Sequence, residues 1–327
     1  MSFINQLFIL VIATISFTQI ISKERIVILI PFDPHDTTDQ IFSGGPGNFW
    51  YQLKQECARC GFTLTTKCNH RSKDVYAIIA FNHHNQDALH IYKNAKKILY
   101  TWEPLTHSRA NFSPQIHKLY DVVMTWDDRL VNNKKFRKFN YALQFNTPQT
   151  IIPFKEKKLC TMFAGNKSAS HPQELYSKRI ELINFFEQHA PDDFDLYGPD
   201  WPQSLITRGF VVDKFSYMRH YKFVFAYENM RDIPGYITEK IFDAFSAGCV
   251  PVYWGAPNIA RYIPTNCFIA REQFENDQQL YEFLKNMSEA DYNQYLENIR
   301  IFLLSQQAQQ FSCKQFIKTF IDALNYS

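Results

Sequence analysis

Residues 221–258 read YKFVFAYENMRDIPGYITEKIFDAFSAGCVPVYWGAPN and decide how the fold is interpreted. An apolar run at 223–227 has the length of a buried strand, and Pro234 and Gly235 mark a polar loop after it. The next apolar residues recur every three or four positions, which is typical of a helix packed on one face. A second apolar run at 250–254 completes the order strand, helix, strand. The stretch therefore predicts a βαβ unit of a parallel sheet.

The predicted helix begins at about Tyr236, and its first turn carries Thr238, Glu239 and Lys240. A glutamate in the first turn is stabilised by the positive end of the helix dipole, whereas a lysine there opposes the dipole. A bound phosphate would satisfy both the lysine and the free backbone N–H groups of the helix end. The pattern therefore predicts an anion site, with an ordinary sheet crossover as the alternative.

The same stretch contains a longer signature. It consists of Phe225, Glu228 and Asn229, then Tyr236-Ile237-Thr238-Glu239-Lys240, then Ala247-Gly248, Val250-Pro251-Val252 and Gly255. This signature resembles the donor-binding region of the α1,3-fucosyltransferases, glycosyltransferase family 10. The resemblance implies an inverting enzyme that moves fucose from GDP-fucose to a hydroxyl of a glycan containing N-acetylglucosamine or galactose. The alternatives are the same scaffold with another GDP-sugar, and a non-catalytic carbohydrate-binding relative.

The resemblance also implies roles for single residues on the GDP-sugar side. Asn229 and Tyr236 match positions that touch the nucleotide, and Glu239 matches one that binds hydroxyl groups of the sugar. Lys240 and Arg179 are the cations expected to hold the diphosphate, since a guanidinium group can bind two phosphate oxygens at once. Without the resemblance, Arg179 reads as part of a solvated helix face. No cofactor beyond the GDP-fucose substrate is implied.

A carboxylate follows a predicted strand of the first half of the chain. Glu103 stands in Thr101-Trp102-Glu103-Pro104, directly after an apolar run, and is similar to the family segment that carries the proposed general base. The alternative is a glutamate at a strand end that binds a neighbouring loop. His83, His84 and Asp127, at neighbouring strand ends, are the next candidates for the base.

Two motifs raise the question of a metal. Asp193-Phe194-Asp195 fits the D-x-D pattern that holds a metal in many glycosyltransferases, but we interpret it as a turn followed by a strand. Cys57 and Cys60, with Cys68 and His70 nearby, fit a zinc knuckle. Cys57 and Cys60 also share one face of a predicted helix with Trp50 and Leu53, and we favour that interpretation. We therefore predict no metal site.

The composition suits two globular domains and argues against a nucleic-acid partner. The chain has 327 residues, of which 46% are hydrophobic, so it can bury two cores of ordinary size. A formal net charge of +3 is too small to attract a polyanion. We therefore expect no nucleic-acid partner. The family resemblance implies a GDP-sugar donor and a glycan acceptor, carried by a glycoprotein, a glycolipid or a lipopolysaccharide, as the partners.

Residues 1–22 form an apolar segment that predicts a secretory signal or a single membrane anchor. Lys23 and Arg25 follow the segment instead of preceding it, which is the wrong flank for a signal peptide and for an anchor that exports the C-terminal domain. A packed N-terminal helix is the alternative. Four N-x-S sequons are weak evidence of secretion: Asn111, Asn166, Asn286 and Asn325. We expect a membrane-associated or secretory location, Golgi-type in a eukaryote and envelope-associated in a bacterium.

Alternating strands and helices divide the rest of the chain into two α/β halves. We predict an N-terminal acceptor-side Rossmann-like domain at 23–145, a linker at 146–158, and a C-terminal GDP-sugar-binding Rossmann-like domain with terminal helices at 159–327. The glycine-rich loop at 33–48 is expected to face the cleft between them. The pattern gives the class α/β, and the family resemblance implies the GT-B architecture, in which two such domains face a central cleft.

Overall fold

The structure is a computed structural model that describes residues 24–31, 37–84, 87–148 and 150–326. The apolar segment at 1–22 lies outside these residues, so the signal or anchor stays a prediction. Within the described ranges, no helix has both the length and the apolar character that crossing a membrane requires.

The first half of the chain forms a parallel sheet of six strands in the order β2-β1-β3-β4-β5-β6. Its central strands are almost continuously apolar, as expected for a sheet covered on both faces. The strands are β1 Arg25–Ile30, β2 Phe62–Thr65, β3 Val75–Phe81, β4 Lys96–Tyr100, β5 Val122–Thr125 and β6 Phe136–Lys138. The helices are α1 Phe49–Arg59, α2 Asp87–Ile91 and α3 Pro114–His117.

The second half forms another parallel sheet of six strands, in the order β12-β11-β10-β7-β8-β9. The strands are β7 Lys158–Phe163, β8 Phe194–Tyr197, β9 Thr207–Gly209, β10 Tyr221–Tyr227, β11 Val250–Trp254 and β12 Ile269–Ala270. The helices are α4 Tyr176–His189, α5 Lys214–Met218, α6 Glu239–Ser246, α7 Asp277–Lys285, α8 Glu289–Leu304 and α9 Cys313–Asn325. The predicted α/β class with two Rossmann-like halves is confirmed.

The βαβ unit of residues 221–258 is present as β10, α6 and β11, but its helix begins later than predicted. The predicted start near Tyr236 is wrong, because Tyr236 and Ile237 donate turn hydrogen bonds to Ile233 and Gly235. Thr238 then precedes the helix with an extended backbone. Glu239 and Lys240 are consequently the first two helical residues, at the end that faces the crevice.

The last helix returns to the first sheet. The ring of Phe316 in α9 packs 5.4 Å from that of Tyr100 and 5.8 Å from that of Trp102, measured between centroids. Lys96 Nζ, on β4, donates a 2.8 Å hydrogen bond to the backbone oxygen of Ala323 at the end of α9. Helix α9 therefore ties the C-terminal half of the chain to the N-terminal domain.

Candidate active site

The crevice at the carboxyl ends of β7 and β10 holds both predicted cations. The second sheet reverses its direction of growth there, since β8 lies on one side of β7 and β10 on the other. Open α/β sheets bind ligands at such switch points. A small cavity occupies the crevice, lined by Ala164 after β7, Tyr227 of β10, Arg179 of α4 and Lys240 of α6.

Arg179 is buried, with 5% of its surface exposed. Its Nη2 donates to the backbone oxygens of Tyr227 and Glu228, both at 2.7 Å, and to Oδ1 of Asn229 at 3.0 Å. The alternative of a solvated helix face is therefore wrong. Burial lowers the pKa of the Arg179 guanidinium, and nearby Tyr176 and Glu228 oppose that effect. The side chain thus fixes the end of β10 next to the cavity that it lines.

Glu228 caps the start of α6 from inside the protein. Its carboxylate is fully buried and accepts the backbone N–H of Thr238 at 2.7 Å and the hydroxyl of the same residue at 2.7 Å. Helix starts leave backbone N–H groups unpaired, and this carboxylate satisfies one of them. Glu228 is therefore a buried carboxylate that orders the loop between β10 and α6.

Lys240 lies between two carboxylates at the mouth of the cavity. Its Nζ is 3.3 Å from Oε2 of Glu228 and 3.4 Å from Oε1 of Glu239. Burial lowers the pKa of the ammonium group, but Glu239 and Glu228 outweigh burial and raise it overall. Lys240 is therefore charged at neutral pH, and the predicted anion site has its cation in place.

Glu103 lies across the cleft from this cation, in the loop after β4. The side chain is half-buried, and burial raises the pKa of its carboxyl, while the charge of Lys240 acts in the opposite direction. Among the residues that the structure describes, none forms a hydrogen bond or an ion pair with this carboxylate. An unpaired carboxylate with a raised pKa has the properties required of a general base.

The two residues predicted to touch the nucleotide, Asn229 and Tyr236, differ in solvent exposure. Asn229 is half-buried and bound to Arg179. Tyr236 is 1% exposed, and its ring packs 4.5 Å from that of Trp126 in the N-terminal domain. The structure thus places Tyr236 at the domain contact, and contact with a nucleotide stays a prediction for both residues.

A second cavity lies between the two halves of the chain. Its N-terminal wall contains Trp50 and Trp102, and its C-terminal wall contains Phe215, Glu239 and Asp243. Part of the glycine-rich loop, Gly47 and Asn48, also lines it, as predicted for a loop facing the cleft. The two cavities share three lining residues: Lys214, Glu239 and Asp243.

The family model described as glycosyltransferase family 10 (fucosyltransferase), C-terminal part, matches residues 153–320, which include both cations and the whole switch-point crevice. The chain belongs to glycosyltransferase family 10. The predicted resemblance is thus confirmed for the half that carries the signature.

Relatives of this family 10 protein include several fucosyltransferases. It is 24% identical to an alpha-(1,3)-fucosyltransferase of Helicobacter pylori over 234 residues, which cover 63% of this chain and 47% of the relative. It is 38% identical to an alpha-(1,4)-fucosyltransferase of Arabidopsis thaliana over 189 residues, 55% of this chain and 44% of the relative. It is 30% identical to GDP-fucose protein O-fucosyltransferase 3 of Xenopus tropicalis over 151 residues, 44% of this chain and 31% of the relative. Each alignment covers less than half of the relative's length.

Solved structures of glycosyltransferases share the fold over most of the chain. An alpha1,3-fucosyltransferase crystallised with GDP-fucose superposes with a TM-score of 0.57 at 19% identity, covering 92% of this chain and 90% of that one. A DNA-modifying beta-glucosyltransferase superposes with a TM-score of 0.59 at 13% identity, covering 92% of this chain and 99% of that one. These are GT-B glycosyltransferases, and the predicted GT-B architecture is confirmed.

Four residues of the site were missed by the sequence analysis. Lys214, on the unpredicted helix α5, pairs with Asp243 of α6, where both line the two cavities. Burial raises the pKa of Asp243 to about 6. The hydroxyl of Tyr176 lies 3.3 Å from Nδ1 of His107 in the N-terminal domain. Only Asp243 gave a signal, because it follows Glu239 by four residues and shares its helix face.

The D-x-D motif is a turn followed by a strand, as predicted. Asp193 accepts from the hydroxyl of Tyr281 at 2.7 Å and pairs with Lys285 at 2.8 Å. Asp195, on β8, instead accepts from Lys158 at 2.8 Å and from the Tyr221 hydroxyl at 2.5 Å. The two carboxylates thus have separate partners.

The cysteine motif lies on helix α1. Cys57 is fully buried, and burial raises the pKa of its thiol to about 12, while Cys60 is the cap at the end of the helix. This agrees with the predicted helix face. Within the described ranges, no three His, Cys, Asp or Glu side chains are grouped as a metal site requires.

Proposed function

We propose that this protein is an inverting α1,3-fucosyltransferase that uses GDP-fucose and a glycan acceptor. The observation that carries the proposal is the arrangement of charge across the cleft, with Arg179 and Lys240 at the switch-point crevice and the unpaired carboxylate of Glu103 opposite them. Membership of family 10 supports fucose as the sugar. The Helicobacter pylori relative, named an alpha-(1,3)-fucosyltransferase, supports the linkage.

The nucleotide sugar binds in the crevice, with its diphosphate at Lys240 and Arg179. When the bond between the fucose anomeric carbon and the phosphate oxygen breaks, negative charge grows on the GDP that departs. Fixed cations stabilise such charge strongly because they need no reorganisation at the moment of reaction. The same two side chains supply the charge that a metal ion supplies in other glycosyltransferases, so we propose that the reaction requires no metal.

The acceptor enters from the interdomain cavity, along the N-terminal wall that contains Trp50 and Trp102. Its hydroxyl attacks the anomeric carbon from the face opposite the diphosphate, and Glu103 takes the hydroxyl proton. One carbon–oxygen bond forms as the other breaks, so the configuration at that carbon inverts. Glu239 and Asp243 line both cavities, so they face the boundary between the two sugars.

The test is transfer from GDP-fucose to a panel of glycans by the purified chain in EDTA, comparing Glu103→Gln, Lys240→Ala and Lys178→Ala with the wild type. We expect Glu103→Gln to bind GDP normally and to lose transfer by about 100-fold, as typical for one acid–base group. Lys240→Ala should lose at least about 100-fold because a charge-stabilising group is removed. Lys178, beside Arg179 on α4, pairs with Glu181 on the surface and serves as the matched control.

Native rates in both site variants would overturn the assignment of the residues. Transfer only from another GDP-sugar, or binding of glycans without any transfer, would overturn fucosyl transfer itself. Loss of activity in EDTA with recovery in manganese would overturn the metal-free mechanism.

A further inference from the structure

Two buried asparagines bind both backbone polar groups of Glu103. Asn82, directly after β3, is 1% exposed, and Asn111, in the turn before α3, has no exposed surface. Asn82 Oδ1 accepts the backbone N–H of Glu103 at 2.8 Å. Asn111 Nδ2 donates to the backbone oxygen of Glu103 at 3.1 Å and to Asn82 Oδ1 at 2.6 Å. The two amides therefore form one bracket around a single residue.

The orientation of the Asn111 amide is set by its neighbours. Its Oδ1 accepts the backbone N–H of His83 at 2.9 Å, so its Nδ2 must face the two oxygens on the other side. Nε2 of His117 lies 2.6 Å from the backbone oxygen of Asn111. Asn82 is joined to β4 as well, because its N–H donates to the backbone oxygen of Tyr100 at 2.9 Å. The bracket is thus anchored on β3, β4 and the turn before α3.

Burying two side-chain amides is costly unless every bond is made. Here the bonds are directed at the loop residue that carries the unpaired carboxylate. Asn82 also has a φ of 67°, a left-handed conformation that asparagine and aspartate tolerate better than most residues. Oδ1 of Asn82 accepts both of the hydrogen bonds described for that side chain. Asn111, in contrast, donates a hydrogen bond to Glu103 through its side-chain nitrogen.

We infer that Asn82 and Asn111 are positioning residues that hold the Glu103 carboxylate in place for the acceptor hydroxyl. This inference rests on the proposed function, in which Glu103 is the base. A displacement of about 1 Å at such a group can cost about 100-fold in rate, so the bracket contributes to turnover without touching a substrate.

The test uses the same chemical change at both positions. Asn82→Asp keeps an oxygen for the two bonds that Asn82 accepts and keeps the tolerance for a left-handed backbone. Asn111→Asp has the same shape but presents an oxygen where Asn111 donates a hydrogen to two oxygens. Each substitution buries one added carboxyl group next to Glu103, so that cost is common to both variants. We expect Asn82→Asp to keep a kcat at least about tenfold above that of Asn111→Asp, because both of the bonds that Asn82 accepts survive. Asn111→Asp should lower kcat by at least about 30-fold, with the KM for GDP-fucose and the affinity for GDP unchanged.

Each rate is divided by the concentration of GDP-binding sites found by titration, so a smaller folded fraction of protein cannot be mistaken for a lower kcat. If Asn111→Asp yields no folded protein, Asn82→Gly replaces it, because glycine accepts the left-handed backbone, removes the acceptor for Glu103 and leaves Asn111 bound to His83. The inference is overturned if the variant that is measured keeps the native kcat per GDP-binding site. It is also overturned if Asn82→Asp loses as much kcat as Asn111→Asp. Glu103→Gln distinguishes failure of the proposed base from failure of the positioning role. If Glu103→Gln transfers fucose at the native rate, Glu103 is not the base. If Glu103→Gln is inactive but Asn111→Asp is as active as the wild type, only the positioning role is wrong.

Discussion

The pKa of the Glu103 carboxyl is set by five contributions that differ in sign. Burial raises the pKa of its carboxyl, Lys240 lowers it and Glu239 raises it. A base must be deprotonated to act, so a raised pKa moves the acid-side loss of activity to higher pH than an ordinary glutamate would give. Lys167 and His84 also lower the pKa of Glu103 and belong to the same environment.

The two helix-start residues should therefore shift the pH profile in opposite directions. Glu239→Gln removes a negative charge near Glu103, lowers the pKa of Glu103 and moves the acid limb of kcat to lower pH. Lys240→Ala removes a positive charge and moves the limb to higher pH. The measurement is kcat at saturating GDP-fucose against pH, scaled to each variant's own maximum. Limbs that stay in place, or that move in the same direction, would show that Glu103 does not set the profile.

Among single residues, strand-end placement and the family resemblance led to Glu103, Arg179 and Lys240. The other residues of the site could not be predicted from the sequence, because their roles depend on contacts between distant segments. Asn111 read as the start of an N-x-S sequon, yet its side-chain nitrogen is buried and donates two hydrogen bonds inside the bracket. Its pattern therefore carries no information about secretion. His107 meets Tyr176 only through the docking of one domain on the other.

Helix α6 is the element on which the site depends, because its first turn presents Glu239 and Lys240. Its position was predictable from the spacing of apolar residues, but its first residue was not. The start is set by Glu228, the residue directly after β10, which accepts hydrogen bonds from Thr238 across the intervening loop. The edge strands β9 and β12 are three and two residues long, too short for an alternating pattern to identify.

Glu228→Ala should destabilise the protein by roughly 3 kcal/mol, because the N–H and the hydroxyl of Thr238 lose their partner inside the protein. The comparison is Glu297→Ala, which removes a glutamate paired with Arg300 on the exposed side of α8. We expect that control to leave the urea midpoint unchanged, since surface ion pairs contribute little. Unfolding in urea measures both variants. Equal midpoints would mean that Glu228 does not stabilise the start of α6.

In the whole molecule, a loop of the C-terminal domain contacts the N-terminal domain. The backbone oxygen of Pro234 accepts from the N–H of Asp128 at 3.0 Å, and the carboxylate of Asp128 accepts from Asn258 at 2.8 Å and Tyr262 at 2.7 Å. The two-domain order was predictable from the alternation of elements. This contact was not, because no local pattern encodes which loops meet.

Gly235 lies at the centre of that contact, next to Trp126, Lys138 and Asp128 of the N-terminal domain. Its φ is 85°, and an added Cβ would lie 2.3 Å from the backbone oxygen of Trp126. Gly209 has a similar φ of 77°, but a Cβ there meets no described atom within 4 Å. Alanine at either position costs about 1–2 kcal/mol for the left-handed backbone. The difference between the two variants therefore isolates the contact between the domains.

We expect Gly209→Ala to keep kcat within about twofold, since its strain lies on the edge strand β9 and its added Cβ meets no described atom within 4 Å. Gly235→Ala should lower kcat by about 10-fold or more, because the loop must withdraw from Trp126 and carries the start of α6 away from Glu103. Binding of GDP, which we propose to occur in the crevice of the C-terminal domain, should survive in both variants. Steady-state transfer and GDP titration measure the two effects separately. If Gly235→Ala turns over like Gly209→Ala, the distance between Lys240 and Glu103 is set elsewhere, and α9 becomes the element that holds the cleft at its working width.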